Sequence, residues 1–408
     1  MRPRQLALWP LLLAVLTVPQ ASPSSSAATV ESCFGQVPTV VGTPGKPLIG
    51  TELPDVVVTN GSDGVDTRGG DDLVCVSGLV RGQYLTGSGD DRIDSTLAQF
   101  DAASLWIEPG PGMDEVSGTT AGHMYVISAD TDADVIATGS ASDDVYADRQ
   151  DTVSLGAGFD FLNVDLDGEV VGGSYDGGTG ADELTVKLQL PDGHPAWTID
   201  NVSQRILRDD TVIAGVRSFS LFRATASGPL TFVGSDGAER LSTFGVNENR
   251  VPKWPLHVSM NGGQDTVVFN GGAPGAVFDG GEGTDWFVYR RSYRESYPYR
   301  LTFDLASGLL RDRQGTSEVT RQAVGFENVR SEEIGKVTIK GTSGPNVLQS
   351  RWGWKATDRS VFAGRAGDDV LVGSDGYDEL IGGSGQDVVR GGAGVDRCEG
   401  ETRIGCER

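Results

Sequence analysis

The chain has 408 residues, of which 58 are glycine, and a formal net charge of −24. Its hydrophobic content of 38% is too high for a disordered acidic tail, and its glycine content is too high for an ordinary globular domain. The composition predicts a turn-dense repeat structure, and the negative charge argues against nucleic acid and anionic membranes, which bind clustered cations.

Residues 1–28 have the pattern of a secretory signal peptide. Arg2 and Arg4 precede an apolar run over residues 6–18, and a small-residue stretch ending at Ala28 offers a cleavage site. We expect a secreted, extracellular protein whose mature chain begins near Thr29. No later segment has the roughly 20 continuous apolar residues of a membrane-spanning helix, so no membrane span is expected.

Four cysteines in an exported chain indicate two disulfides, for which the sequence allows three pairings. Proximity favours Cys398 with Cys406, which leaves Cys33 with Cys75. These two bonds would hold the two ends of a repeat array, where each terminal coil has only one neighbour.

Residues 29–185 are predicted to form a degenerate nonapeptide-repeat solenoid. One complete unit, GGTGADELT, begins at Gly177, and weaker versions surround Asp72, Asp91 and Asp160. Such units combine glycine, for sharp turns, with an aspartate and a short apolar strand.

The aspartates Asp130, Asp132 and Asp134 resemble the start of a helix-loop-helix calcium loop. Val135 replaces the glycine that such a loop requires, and Ala141 stands where its bidentate glutamate should be. A degenerate solenoid turn is the favoured interpretation.

Residues 186–345 are predicted to be an interrupted solenoid with inserted strands. The unit GGEGTDWFV from Gly280 is complete, a weaker one surrounds Asp265, and alternating segments such as 184–190 and 337–339 predict strands. Two units replace the aspartate, with Glu239 and Asn346. We expect these two turns to be isolated, without a stacked partner, and to lack an ion.

Two aromatic segments allow two interpretations. The segment Tyr289–Arg300 concentrates tyrosine and arginine, which can bind sugars or anionic polymers, or can form an amphipathic strand packed on the solenoid. Trp352 and Trp354 are expected to cap the coil stack ahead of Gly364.

The sequence contains no nucleophile elbow, phosphate loop or dinucleotide fingerprint, which disfavours an enzyme. His123, His194 and His257 are scattered among strand-like residues, and we expect structural or surface roles for them.

Residues 346–408 contain four nonapeptides without a gap: GRAGDDVLV, GSDGYDELI, GGSGQDVVR and GGAGVDRCE, from Gly364 to Glu399. Each has glycine at positions one and four, aspartate at position six, and at position eight a residue expected to face the core. If two nonapeptides complete a coil, turns eighteen residues apart stack, with Asp369 beside Asp387 and Asp378 beside Asp396.

Stacked carboxylates and turn carbonyls are hard oxygen ligands, and calcium accepts six to eight of them at flexible geometry. Magnesium prefers a tight octahedron, and zinc prefers nitrogen and sulfur. Calcium is therefore the predicted cofactor. The predicted ligands are Gly364, Ala366, Asp369, Gly373, Asp375, Asp378, Gly382, Ser384, Asp387, Gly391, Ala393 and Asp396.

These repeats resemble the hemolysin-type (RTX) calcium-binding repeats, and the resemblance implies an all-β, right-handed parallel β-roll or β-solenoid with calcium between stacked turns. The solenoid would be degenerate in the middle and regular at the C-terminus. Segments beginning at Cys33, Leu301 and Gly325, and one ending at Cys75, resemble parts of secreted bacterial proteins of this type. Pro47 replaces an expected aspartate, which makes the first repeat structural only.

The chain departs from pore-forming toxins of that family in having an N-terminal signal and no long hydrophobic helical region. The leading hypothesis is therefore a secreted calcium-binding structural or interaction protein, with an extracellular polysaccharide or a cell-surface component as a further partner. The alternatives are a polysaccharide-active lyase or epimerase and an adhesin.

Overall fold

The structure is a computed structural model that describes residues 32–101, 104–118, 122–128, 130–169, 171–190, 193–243, 254–273, 275–290, 299–332, 335–351 and 359–407. The predicted signal peptide, both tryptophans of the 351–355 segment, and residues 291–298 lie outside the described residues. Among the described residues there is no helix long and apolar enough to cross a membrane.

The described chain folds into two long, mainly parallel sheets, and successive coils add strands to each sheet in turn. The first sheet contains β1 (Val40–Val41), β3 (Val56–Val58), β5 (Leu73–Leu79), β7 (Arg92–Gln99), β9 (Glu115–Ser117), β11 (Val135–Ala137), β13 (Thr152–Ser154), β16 (Gly173–Asp176), β19 (Trp197–Asp200), β20 (Arg205–Arg208), β21 (Thr211–Arg217), β23 (Leu230–Val233), β25 (Leu256–Ser259), β28 (Val277–Asp279), β31 (Tyr299–Asp304), β32 (Leu309–Gln314), β33 (Ser317–Val324), β35 (Lys336–Lys340), β37 (Arg359–Ala366), β39 (Glu379–Ser384) and β41 (Arg397–Glu399).

The second sheet contains β2 (Leu48–Ile49), β4 (Asp63–Asp66), β6 (Arg81–Leu85), β8 (Leu105–Glu108), β10 (Met124–Ile127), β12 (Asp144–Ala147), β15 (Phe161–Leu166), β18 (Glu183–Leu188), β22 (Leu221–Ala226), β24 (Arg240–Thr243), β27 (Thr266–Phe269), β30 (Trp286–Arg290), β34 (Asn328–Glu332), β36 (Val347–Arg351), β38 (Val370–Val372), β40 (Val388–Arg390) and β42 (Thr402–Ile404). Two short pairs lie in stacked turns: β14 (Ala157–Gly158) with β17 (Thr179–Gly180), and β26 (Gly262–Gly263) with β29 (Glu282–Gly283). The predicted all-β parallel solenoid is confirmed.

The residues at position eight of the C-terminal repeats line the core, as predicted. In the second sheet Leu371 pairs with Val389, and in the first sheet Leu380 pairs with Cys398. All four side chains are buried. The register follows from the period of two in a strand, since the flanking residues then face outward.

Two antiparallel insertions interrupt the first sheet. Strand β16 pairs with β21, which leads through β20 and β19 back to the parallel partner β23. Strands β33, β32 and β31 repeat this arrangement between β28 and β35. Both insertions lie within residues 186–345, while the three predicted boundaries between the four segments stay a prediction.

Large aromatic side chains fill the core beside the second insertion. Phe287 contacts Phe278, Phe303 and Phe326, with ring centroids 5.2–5.4 Å apart. These rings are buried, and each aromatic side chain buries more apolar area than the valine or leucine found in the thinner coils.

The predicted disulfides are confirmed at both ends of the solenoid. Cys33 bonds Cys75 with a Cα separation of 5.6 Å, and Cys398 bonds Cys406 with a separation of 5.9 Å. Cys33 and Cys75 form a small apolar cluster with Val56 and Val58, separate from the main core.

Candidate metal centre

The turns that precede the strands carry two ladders of carboxylate side chains. In each ladder the backbone N–H of one turn's carboxylate residue donates to a side-chain oxygen of the stacked turn. The ladder before the first sheet runs through Asp55, Asp72, Asp91, Asp114, Asp134 and Asp151, and resumes at Ser360, Asp378, Asp396 and Glu407. The ladder before the second sheet has the segments Asp143–Asp160–Asp182, Glu239–Asp265–Asp285–Glu327 and Asn346–Asp369–Asp387–Glu401.

The predicted aspartate neighbours are hydrogen-bonded to each other. The Asp369 N–H donates to Asp387 Oδ1 at 3.0 Å, and the Asp378 N–H donates to Asp396 Oδ1 at 2.9 Å. In each ladder, one oxygen of a carboxylate therefore joins two coils. The second oxygen of the same carboxylate is the one that could bind a further ligand.

Ten of the described turns leave that second oxygen buried and without a hydrogen-bond partner, and we call these open turns. Their aspartates are Asp72, Asp91, Asp114, Asp160, Asp182, Asp265, Asp285, Asp369, Asp387 and Asp396. A buried carboxylate oxygen without a partner destabilises the folded state, because it has lost its hydrogen bonds to water and forms none with the protein.

In seven further ladder turns, which we call closed turns, the carboxylate or amide accepts hydrogen bonds from within its own turn. Asp378 accepts from the backbone N–H and the hydroxyl of Ser374, and Asp55 accepts from the same two groups of Thr51. The remaining closed turns end at Asp134, Asp143, Asp151, Glu239 and Asn346.

The residue at position two separates the two kinds of turn. In every open turn the residues at positions two and four have positive φ, as for Gly383 at 118° and Gly385 at 147°. This conformation favours glycine, and it directs the turn N–H groups to the neighbouring coil: the Gly87 N–H donates to the Pro109 carbonyl at 2.9 Å. In Ser374 and Thr51, φ is not positive, and the N–H faces the turn's own carboxylate.

A carbonyl from the stacked turn approaches the unpaired oxygen. A Cβ placed on Gly364 would overlap both Asp369 Oδ2 and the Gly382 carbonyl. In the same way, a Cβ on Gly391 would overlap Asp396 Oδ2 and the Gly405 carbonyl. At these two turns, glycine at position one therefore keeps free the space in which carboxylate and carbonyl oxygens converge.

This donor set fits calcium. Carboxylate and carbonyl oxygens are its usual ligands, and the unpaired Oδ2 atoms lack only a cation. No group of three or more His, Cys, Asp or Glu side chains suited to a metal occurs among the described residues. A site between two turns would have two carboxylates and would take its other ligands from carbonyls.

Burial raises the pKa of several open-turn carboxyl groups, because desolvation disfavours their charged form. The pKa of Asp369 rises to about 6, to which the charge of Asp387 contributes. The pKa of Asp265 rises to about 7 and that of Asp114 to about 8, for the same main reason. A cation beside these oxygens would stabilise their charged form, and would so offset both the loss of hydration and the repulsion between neighbouring carboxylates.

Open turns stack directly on open turns in five places: Asp72 with Asp91, Asp91 with Asp114, Asp160 with Asp182, Asp265 with Asp285, and Asp369 with Asp387. Asp396 differs, because its neighbour Asp378 belongs to a closed turn. The two sides of the C-terminal roll are therefore not equivalent.

The other predicted ligands surround these aspartates. Ala366 pairs with Ser384, whose carbonyl accepts from the Gly367 N–H. Asp375 and Ala393 are exposed at the outside of their turns. Ligation by the predicted set stays a prediction.

The expectation that the Glu239 and Asn346 turns lack a stacked partner is wrong. The Glu239 N–H donates to Asp265 Oδ1 at 2.7 Å, and the Asn346 N–H donates to Asp369 Oδ1 at 2.8 Å. Both are closed turns that continue a ladder and bring an open turn into register.

The sequence patterns missed several ladder residues. Asp114 is in an open turn whose prolines hide the repeat, although Gly110 and Gly112 occupy positions two and four. The carboxylates of Glu401 and Glu407 accept from the Asp387 and Asp396 N–H groups at 2.8 and 2.9 Å, and so end both ladders. The glycine pair could have revealed Asp114, whereas the two glutamates follow no repeat.

The remaining candidates have structural contacts. Asp130 accepts from the Asp132 N–H within the turn that leads to Asp134. His123 contacts Ser104 and Asp144, and His194 stacks on Trp254 with centroids 4.3 Å apart.

Comparison with known families agrees with the C-terminal part of this geometry. Residues 364–398 match the RTX calcium-binding nonapeptide repeat in four copies, which confirms the predicted resemblance. The curated proteins include no match to the chain. The open turns from Asp72 to Asp285 lie outside the matched residues.

Proposed function

We propose that this chain is a secreted calcium-binding solenoid, in which calcium ions between stacked open turns stabilise the fold. The observation that carries the proposal is the set of buried, unpaired Oδ2 atoms, of which those of Asp369 and Asp396 lie beside a carbonyl of the next coil. Each ion would supply the positive charge that two neighbouring carboxylates need.

In the C-terminal roll, the stronger site would lie between Asp369 and Asp387, with turn carbonyls of Gly364, Ala366, Gly382 and Ser384 as further ligands. A weaker site would lie between Asp378 and Asp396, because Ser374 already donates to Asp378. Its further ligands would be carbonyls of Gly373, Asp375, Gly391 and Ala393.

The same reasoning supports calcium binding upstream of the recognised repeats. The pairs Asp160 with Asp182 and Asp265 with Asp285 have the hydrogen bonds and unpaired oxygens of the Asp369 pair. Asp72, Asp91 and Asp114 form a run of three open turns. Calcium would then stabilise the whole solenoid as well as its last coils.

Two properties of the chain fit a calcium-binding role outside the cell: its disulfides and the kind of site that its turns could form. Disulfides persist in oxidising compartments outside the cytosol, and extracellular calcium modules work at dissociation constants of about 10⁻⁴–10⁻³ M. At a calcium concentration about ten times the dissociation constant, each site would stabilise the fold by about 1.4 kcal/mol.

The test is a calcium titration of the exported chain after chelation, followed by isothermal calorimetry and circular dichroism. We expect binding at submillimolar calcium with a gain of β-structure, and little response to magnesium at the same concentration. Equal responses to the two ions, or no binding, would contradict the proposal.

A further inference from the structure

A groove runs along the outer face of the second sheet, on the opposite side of that sheet from the core. Its volume is about 500 Å³, and residues of β12, β15, β18 and β22 line it. A second depression, of about 260 Å³, continues it past Glu183 and Arg223 towards Arg240 and Arg290. We call the two together the outer groove.

Tyr146 and Phe161 line one end of the outer groove, and Tyr125 and Trp106 continue the aromatic row beyond it. Trp106, Tyr125 and Tyr146 extend from the successive strands β8, β10 and β12, and their ring centroids are 4.4 and 5.4 Å apart. Phe161, on the next strand, also lines the groove. Aromatic rings at the spacing of parallel strands, about 4.8 Å, can stack on successive rings of an extended polymer.

Arginines form the other end. Arg223 pairs with Glu183 at 2.5 Å, while Arg290 and Arg330 share Glu332 at 2.7 and 3.2 Å. Arg240 lies beside these three guanidinium groups.

The side chain of Arg240 is partly buried and makes no hydrogen bond or ion pair with the other described residues, while its backbone N–H donates to the Ser220 carbonyl at 2.8 Å. Desolvation and the three neighbouring arginines lower its pKa. Four arginines against two glutamates leave positive charge in a protein of net charge −24, and an unpaired guanidinium favours a carboxylate ligand.

The middle of the outer groove is lined by hydroxyl, amide and carboxylate groups. Asp144, Asn163 and Thr185 are among them, together with Thr225 and Glu183. Such groups can donate to or accept from the hydroxyls of a sugar.

We propose that the outer groove binds an acidic polysaccharide, with its pyranose rings on the aromatic row and a uronate carboxylate on Arg240. This inference is independent of the calcium sites, because none of the open-turn aspartates lines the groove. It gives the solenoid a partner of defined chemistry: a chain of carboxylated sugars.

The test uses the exported chain with saturating calcium and two probes, a hexamer of galacturonate and the neutral cellohexaose. Isothermal calorimetry should detect the uronate hexamer and little or no neutral hexamer. Arg240→Gln should weaken uronate binding at least tenfold, and Tyr146→Ala should weaken it several-fold. Arg397→Gln removes an exposed cation from the first sheet and should leave binding unchanged.

Circular dichroism and the calcium isotherm of each variant show whether it folds. Equal affinity for the two sugars would overturn the proposal, as would uronate binding that survives Arg240→Gln, or tighter binding of a single-stranded oligonucleotide. If calcium does not bind, the proposed function is contradicted. The sugar-binding result can still be interpreted in that case, because all variants are compared at the same calcium concentration.

Discussion

At the scale of the residue, the backbone conformation at position two of each turn separates carboxylates with an unpaired oxygen from those without one. Gly383, with a φ of 118°, leaves Asp387 Oδ2 unpaired, whereas Ser374 donates to Asp378 from both its N–H and its hydroxyl. The serine donors satisfy the Asp378 carboxylate without a metal, whereas the Asp387 oxygen has no such donor. On the proposed function, the serine turn should be the more stable one without calcium and the glycine turn the more dependent on it.

Ser374→Gly should convert the closed turn into an open one. The variant loses the hydroxyl donor to Asp378, so in chelator we expect it to be about 1–2 kcal/mol less stable than the parent. In calcium it should recover most of that loss, because Asp378 and Asp396 would then share an ion. Thermal unfolding in chelator and in calcium measures both effects, and an unchanged calcium response would contradict the role of position two.

A matched pair of amide substitutions separates open from closed turns. Asp387→Asn keeps a side-chain oxygen for the Asp369 N–H and removes one charge, so calcium affinity at that site should fall about tenfold or more. Asp378→Asn should lower total calcium binding much less, since Ser374 already bonds that carboxylate. Calorimetry on both variants is the measurement. Equal losses would show that open and closed turns bind calcium alike.

At the scale of the element, the last strand and the tail after it end both carboxylate ladders. Strand β42 pairs with β40, and Cys406 is bonded to Cys398 on β41. Glu401 and Glu407 then accept the N–H groups of Asp387 and Asp396. The two glutamates therefore take the place that the carboxylate of the next turn has elsewhere in the ladders.

Glu401→Ala should loosen this end of the solenoid. It removes the acceptor of the Asp387 N–H, at a cost of about 1 kcal/mol, and hydrogen exchange at that amide should become at least severalfold faster. The control is Glu399→Ala, whose exposed carboxylate pairs with Arg397 and should contribute little. Equal hydrogen-exchange rates at the Asp387 amide in the two variants would show that Glu401 does not protect the end of the ladder.

The nonapeptide repeats could be predicted from the sequence, whereas the antiparallel insertions could be predicted only as strands without a pairing. The four C-terminal repeats gave the register of Leu371, Leu380, Val389 and Cys398, because glycine and aspartate recur at a fixed spacing. The antiparallel strands β20 and β32 do not follow the nonapeptide spacing. They pair with their neighbours through short hairpins, such as Arg208 with Thr211 and Gln314 with Ser317, which the repeat pattern does not encode. The difference between the Ser374 and Gly383 turns could not be predicted from the sequence either, because it depends on whether the backbone N–H at position two faces the carboxylate of its own turn.

At the scale of the whole molecule, the carboxylate ladders link calcium to pH. The folded-state pKa of Asp91 is raised to about 6, that of Asp160 to about 7 and that of Asp114 to about 8, above the ordinary value of 3.8. A raised carboxyl pKa means that the native state holds more protons than the unfolded state between these values. Stability without calcium should therefore fall as pH rises through that range.

In chelator, the melting temperature should accordingly fall between about pH 5 and pH 8, and saturating calcium should reduce or reverse the fall. The reason is that calcium stabilises the ionised carboxylates that burial alone disfavours. Thermal unfolding at a series of pH values, with and without calcium, is the measurement. A melting temperature in chelator that rises over this range would contradict the assignment of unpaired buried carboxylates.

The most direct test of the central claim is a crystal structure grown in calcium, with the ions located by their anomalous scattering. The account predicts ions between the open turns of Asp72 and Asp91, Asp91 and Asp114, Asp160 and Asp182, Asp265 and Asp285, and Asp369 and Asp387. Spaces between two closed turns, such as Asp134 with Asp151, should hold none. Anomalous peaks at closed turns, or open stacks without a peak at saturating calcium, would contradict it.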